Sequence, residues 1–273
     1  MGSKNFTEQV ILGEILARML EDRGVAVDRK LNLGGTFICH QAVVAGDVDV
    51  YFEYTGTALA AILKLPLTAD AGAAFATVKT EYAKRFGLDW GSPLGFNNTF
   101  ALVMRGAHAR ALGVTTISDL APHAKTLRAG FGYEFLERLD GLAGLNQAYG
   151  FEFGIRPREM ELSLIYPALA QNEVDVVAGN STDGLIEKLG LVVLVDDRSY
   201  FPPYEAAPVV RPDALLRVPA LGSVLTKLAS ALSAASMRKL NEAVDSGRRS
   251  PRDVAADWVS GAFTESLESL GPR

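Results

Sequence analysis

VDVYFEYTGTALAAIL, residues 48–63, is the stretch whose reading decides the fold. A run rich in Val, Tyr and Phe ends in Thr-Gly-Thr, and the chain passes at once to Ala, Leu and Ile, so a strand feeds directly into a helix. Successive side chains of a strand point to opposite faces, which puts Phe52 and Tyr54 on one face and Tyr51 on the other. Tyr51 and Phe52 suit core packing. Tyr54 stands at the strand end, where open α/β sheets bind their ligands, and the Gly of the turn lets the backbone approach a neighbour closely.

Working outward, Thr7 to Arg23 carries apolar residues at 11, 12, 15, 16, 19 and 20, which is helical spacing, with Gly24 suited to its end. VAVDRKLNL then reads as a strand and FICHQAVVAGD as a helix, so strands and helices alternate through the first hundred residues as in a parallel sheet. A second series follows FNNTFALVMR: strand TLRAGFG, a helix near Leu136 to Tyr149, strand REMEL, helix IYPALAQN, strand VDVVAGN, helix TDGLIEKLG and strand LVVLVDD. From APVVRPDALL onward the pattern is helical, with no sheet of its own, and is expected to return onto the first series. The expected architecture is α/β in two lobes, residues 1–102 with 207–273 and residues 103–206, joined by two crossings near Leu102 and Ala206 that form a hinge.

The chain has 273 residues, 48% hydrophobic and 22% charged, enough for a full core and at the size where one domain tends to become two. A net charge of −5 and no basic stripe argue against nucleic acid as a partner. The single cysteine, Cys39, excludes an internal disulfide and leaves the redox compartment open. No apolar run is long enough to span a bilayer. Met1 runs straight into GSKNFTEQ without a leader-like stretch, so either the start is trimmed or the first strand is very short; loss of that strand would leave an exposed sheet edge beside Lys4.

Enzyme signatures fail on inspection. GNSTDG looks like a nucleophile elbow, but the position that needs Gly holds Asp183. His40, His108 and His123 lack the spacing of metal ligands, and GFGYEF lacks the third Gly of a dinucleotide fingerprint. No catalytic residue, metal or cofactor is assigned.

GSKNFTEQ, HQAVVAGDVDVYFEYTGTA, GFNNTFAL, GNSTDG and DDRSYFPPYEAAPVVR, in this order over residues 2–211, together resemble the substrate-binding proteins of osmoprotectant ABC transporters. The resemblance implies a type II periplasmic-binding-protein fold with a two-stranded hinge and a central cleft. It implies capture of glycine betaine, choline, carnitine or a related quaternary amine, without chemistry, and delivery to a membrane permease. Such a protein is a monomer, periplasmic or otherwise extracytoplasmic, with or without a membrane anchor.

The resemblance also implies roles, position by position. Tyr54, Phe100 and Tyr204 form an aromatic cage for the ammonium, and Lys4, Thr57 and Arg138 hold the carboxylate. The fourth ring of the family pattern falls on Asn180, and the Pro that usually follows the Arg is Leu139. Taken singly, Tyr54 and Phe100 read as core, and Lys4 and Arg138 as surface charges; only their joint presence at matching positions selects the site. For Asn180 a ligand contact and a turn residue are equal readings.

A quaternary ammonium has no N–H, so ring faces and oxygens must hold it, at about 0.5–2 kcal/mol per ring. Three rings supply roughly 1.5–6 kcal/mol, whereas a micromolar site needs about 8 kcal/mol. Charge-assisted hydrogen bonds from Lys4 and Arg138, about 1.5–3 kcal/mol each, close the gap for a carboxylated ligand. The leading expectation is therefore a glycine betaine or choline binder. Its alternatives are a binder of a bulkier betaine such as ergothioneine or carnitine, using the space at Asn180, and a ligand-sensing domain built on the same cleft.

Overall fold

In the computed structural model, which describes residues 1–261, the chain begins with strand β1 (Gly2–Lys4) and enters helix α1 (Thr7–Glu21). Ile11, Leu12, Ile15, Leu16 and Leu20 form one buried stripe along α1, as their spacing predicts. Strand β1 pairs in parallel with β2 (Lys30–Gly34), helix α2 (Thr36–Ala45) follows, and β3 (Val50–Tyr54) leads into the single turn α3 (Thr55–Thr57). The expected helix continues over Ala58–Leu63 as wide i→i+5 turns and stops at Lys64, whose φ of 54° is left-handed. Helix α4 (Ala71–Phe86) and β4 (Asp89–Trp90) come next. The first strand is present and three residues long, and Ser3 and Lys4 are both buried.

The second series comprises β5 (Phe100–Arg105), α5 (Gly106–Leu112), β6 (Ala129–Phe131), α6 (Tyr133–Glu137), α7 (Leu142–Tyr149), β7 (Arg158–Glu159), α8 (Leu162–Ala170), β8 (Val176–Asn180), α9 (Leu185–Lys188) and β9 (Leu191–Val193). The chain returns through β10 (Ala206–Val210) into α10 (Pro212–Arg217), α11 (Pro219–Leu228), α12 (Ala234–Asp245) and α13 (Pro251–Ser260). The single helix expected near Leu136 to Tyr149 is two helices. Arg138 takes extended backbone (φ −77°, ψ 148°) after α6, and its guanidinium clasps Asp140, so the chain breaks there before α7 begins.

The three-stranded sheet of the first lobe is antiparallel and the five-stranded sheet of the second is mixed, where alternation alone suggested parallel strands. In the first lobe β10 lies between β3 and β4 and runs antiparallel to both, with Ala206 opposite Tyr54. In the second the order is β7-β6-β8-β5-β9; β6 is parallel to its neighbours, and β5 is antiparallel to β8 and β9. The two antiparallel strands, β5 and β10, each follow directly on a crossing between the lobes. Asn97 and Glu205 bridge the two crossings, and Asn98 donates its N–H to the Tyr204 carbonyl at 3.0 Å. Leu102 lies inside β5 opposite Ala178, and Ala206 opens β10. We propose the division into 1–102 with 207–273 and 103–206 as the working lobe boundaries; residues 262–273 lie outside the described residues.

Strand alternation sorts the aromatic run as its period requires. Val50, Phe52 and Tyr54 join the core beneath α1, where Leu221 and Leu228 of α11, Met237 and Leu240 of α12 and Val254 of α13 also pack. Tyr51 faces the opposite layer with Trp90 and Tyr82, whose rings meet edge to face at 5.2 Å.

Candidate functional site

Between the two lobes lies a cavity of about 580 Å³, and all seven residues selected from the sequence line it: Lys4, Tyr54, Thr57, Phe100, Arg138, Asn180 and Tyr204. Each stands at an element end. Lys4 closes β1, Tyr54 ends β3, Thr57 ends α3, Phe100 opens β5, Asn180 ends β8, Arg138 sits in the break after α6, and Tyr204 precedes β10. Strand ends converge where the sheets face each other, so residues far apart in sequence meet there. The turn glycine of the opening stretch now has its reason. A Cβ on Gly56 would stand 2.8 Å from the Tyr204 ring and 2.9 Å from the Pro203 carbonyl, so only Gly lets Tyr204 pack against this turn.

Two of the three rings are tethered by hydrogen bonds and the third packs on one of them. Tyr54 donates its hydroxyl to Glu8 at 2.6 Å, Tyr204 donates to Asp140, and Phe100 stands edge-on to Tyr204 with centroids 5.9 Å apart. Glu8 is buried and also accepts from Asn98, Thr182 and Asn241; loss of hydration outweighs these donors and raises its pKa.

The two cations of the site are not free ions. Lys4 is buried and donates to Glu53 and, at 3.0 Å, to Thr36, with its ammonium 5.2 Å from the Tyr54 centroid. Arg138 donates to Asp140 through Nε and Nη2, to Glu134 through Nη1 at 3.3 Å and to Thr57 through Nη2 at 3.2 Å. Of three ammonium N–H groups Lys4 has thus engaged two, and of five guanidinium N–H groups Arg138 has engaged four. One donor on each, with the Thr57 hydroxyl, remains for an anion. Pairing in place of water fixes the two heads; burial lowers the Arg138 pKa, but Asp140 more than compensates.

Sequence reasoning missed a set of residues that complete the walls. Phe6, Asn98 and Phe135 line the cavity, and the Phe6 ring stacks on Tyr54 at 6.3 Å between centroids. Phe6 lay within the quoted GSKNFTEQ, but nothing in a single strand–helix junction marks it as a wall. Glu134 reaches from the second lobe to the N-terminus of α2, accepting from the Thr36 backbone and, at 2.9 Å, from its hydroxyl. Burial acts to raise the Glu134 carboxyl, but Lys4, Arg138 and the Thr36 donors outweigh it and hold it below the usual carboxylate range. The expectation that Phe52 packs rather than lines the site agrees with its burial in the core. None of the three histidines lines the cavity, and no metal-type cluster of His, Cys, Asp and Glu occurs among the described residues.

Two mixed α/β lobes, paired crossings and a ring-lined cavity between them define a type II solute-binding protein. A family described as the substrate-binding domain of ABC-type glycine betaine transport systems, OpuAC, matches residues 1–261, and the chain belongs to it. A crystal structure described as a glycine betaine/carnitine/choline ABC transporter superposes with a TM-score of 0.76 at 33% identity, over 95% of this chain and 97% of that one. The ergothioneine transport permease/ergothioneine binding protein EgtU of Helicobacter pylori is 38% identical over 95% of this chain, and the chain spans 46% of that protein's length. The carnitine transport binding protein OpuCC of Listeria monocytogenes is 36% identical, over 95% of this chain and 85% of its own.

Proposed function

We propose that the chain is an extracytoplasmic solute-binding protein that captures a quaternary-ammonium compatible solute in the interlobe cavity, without turnover, and hands it to the permease of an ABC transporter. The observation that carries this reading is the convergence on one cavity of three rings and three open donors, drawn from both lobes. In it, Tyr54, Phe100 and Tyr204 surround the cation, while Lys4, Thr57 and Arg138 offer their remaining donors to a carboxylate or hydroxyl. Membership of the glycine betaine family and the binding proteins among the relatives support it. No helix of the described residues is long and apolar enough to cross a membrane, so transport requires a separate membrane partner or another part of a longer chain.

The test is isothermal titration of the purified protein with glycine betaine, choline, carnitine, proline betaine and ergothioneine, each followed by mass analysis of the recovered ligand. Saturable binding of at least one, returned unaltered, is expected. Failure of all five to bind, or chemical conversion at a catalytic rate, would sink the reading.

A further inference from the structure

Apart from the exposed residues Asn5, Tyr133, Glu159 and Glu161, the polar atoms of the cavity wall are almost all spent. The Tyr54 and Tyr204 hydroxyls are held by Glu8 and Asp140, and both ends of the Asn98 amide are engaged, with Glu8 and with the Thr182 backbone. Asn180 differs. It ends β8 directly opposite Phe100, so it stands beside a cage ring. Its backbone N–H bonds Asp183 at 2.8 Å, and its side-chain Nδ2 lies 3.5 Å from both Asp183 oxygens, which Tyr166 fixes by a 2.6 Å bond. Above about pH 7, where Asp183 is ionised, its carboxylate attracts the amide nitrogen and repels the amide oxygen, so this neighbour sets which end of Asn180 turns away, and the titrations are made at pH 8. The oxygen Oδ1 is left as the end presented to the cavity, and no described residue donates to it.

The chemistry of the wall is thus ordered: open donors at Lys4, Thr57 and Arg138, rings between, and an open acceptor at Asn180. A cavity of about 580 Å³ also has room for more than a minimal betaine, since pockets of about 300–1,000 Å³ enclose drug-sized ligands. We propose that Asn180 is a specificity-determining residue that selects a quaternary-ammonium ligand carrying its own hydrogen-bond donor, a hydroxyl or a ring N–H, near the cation. The proposal rests on the quaternary-ammonium reading and deepens it. A ligand without the donor leaves Oδ1 facing apolar surface after water has been displaced, and selection follows from that loss.

The experiment titrates wild type, Asn180→Leu and Asn180→Ala with carnitine, with ergothioneine, and with γ-butyrobetaine, which is carnitine without its hydroxyl; glycine betaine, which has no donor, serves as a control. Leu keeps the volume and removes the acceptor, and Ala serves if Leu fails to fold in thermal melts. The expected result is that carnitine or ergothioneine binds wild type at least about tenfold more tightly than γ-butyrobetaine. Both substitutions should erase that preference while leaving γ-butyrobetaine within about threefold of wild type. Equal wild-type affinity for carnitine, ergothioneine and γ-butyrobetaine overturns the proposal, as does a uniform loss for all ligands, which would make Asn180 a turn residue. Binding of glycine betaine and γ-butyrobetaine alone, neither of which carries a donor, defeats this proposal and spares the functional reading; binding of none defeats both.

Discussion

Replacing Glu8 tests how the cage is held. Its carboxylate takes four donors from four parts of the chain: Tyr54 at the end of β3, Asn98 at the first crossing, Thr182 after β8, and Asn241 on α12. Glu8→Ala strands three buried donors, Tyr54 Oη, Asn98 Nδ2 and Thr182 Oγ1, because only Asn241 keeps another acceptor, the Thr182 carbonyl at 2.8 Å. At about 1–3 kcal/mol per stranded group the gross cost is roughly 3–9 kcal/mol. Burial raises the Glu8 pKa, so removing the carboxylate also relieves a desolvated charge, and that relief is worth up to several kcal/mol. The net expectation is a loss of about 2–5 kcal/mol at pH 7.5, which lowers Tm by roughly 5–15 °C for a chain of this size. Glu8→Gln should cost less than Glu8→Ala, about 1–3 kcal/mol, because its oxygen still accepts from Tyr54 and Asn98 while its NH2, facing Thr182 and Asn241, strands the Thr182 hydroxyl. In a double-mutant cycle by urea unfolding, Tyr54→Phe removes one of the stranded donors and should recover about 1–3 kcal/mol in the Glu8→Ala background. Additivity of the two changes within about 0.5 kcal/mol would refute the hub.

Tyr54→Ala, Phe100→Ala and Tyr204→Ala should each weaken the bound quaternary amine by roughly 1–3 kcal/mol in calorimetry; unchanged affinity in all three folded variants would remove the cage. Arg138→Ala should cost glycine betaine about tenfold more affinity than choline, which has no carboxylate, and equal losses would assign Arg138 to lobe closure through Thr57 instead. Burial pushes the Asp183 carboxyl up to about 7, so from about pH 4 to 7 the folded chain keeps a proton that the unfolded chain has released. Stability should therefore fall as pH rises through that window and level off above it, by at most roughly 4 kcal/mol at 1.36 kcal/mol per pH unit. Asp183→Asn should flatten that slope in thermal melts; an unchanged slope would place the titration elsewhere.

The sequence by itself determined the parts that depend on local periodicity. The α1 stripe, the alternation that sends Phe52 and Tyr54 to one core and Tyr51 to another, and most of the alternation of strands and helices follow from side-chain spacing along single elements, though α4, β4, α5 and the break between α6 and α7 were not read from it. The seven cavity residues were also legible, because motif resemblance carries long-range proximity that periodicity cannot. Tertiary structure alone decided the rest. The direction of β5 and β10 depends on how the chain crosses between lobes, so alternation could not reveal that these strands run antiparallel to their neighbours. The pairing of Lys4 with Glu53, the reach of Glu134 to Thr36 across 98 residues and the four-way contact at Glu8 join side chains from distant segments. No local pattern encodes such contacts, yet they set the charge, the rigidity and the remaining hydrogen-bond capacity of the site. Asn180 shows the division within one residue: the sequence marked it as a missing ring, and the carboxylate of Asp183 decided which end of its amide meets the cavity.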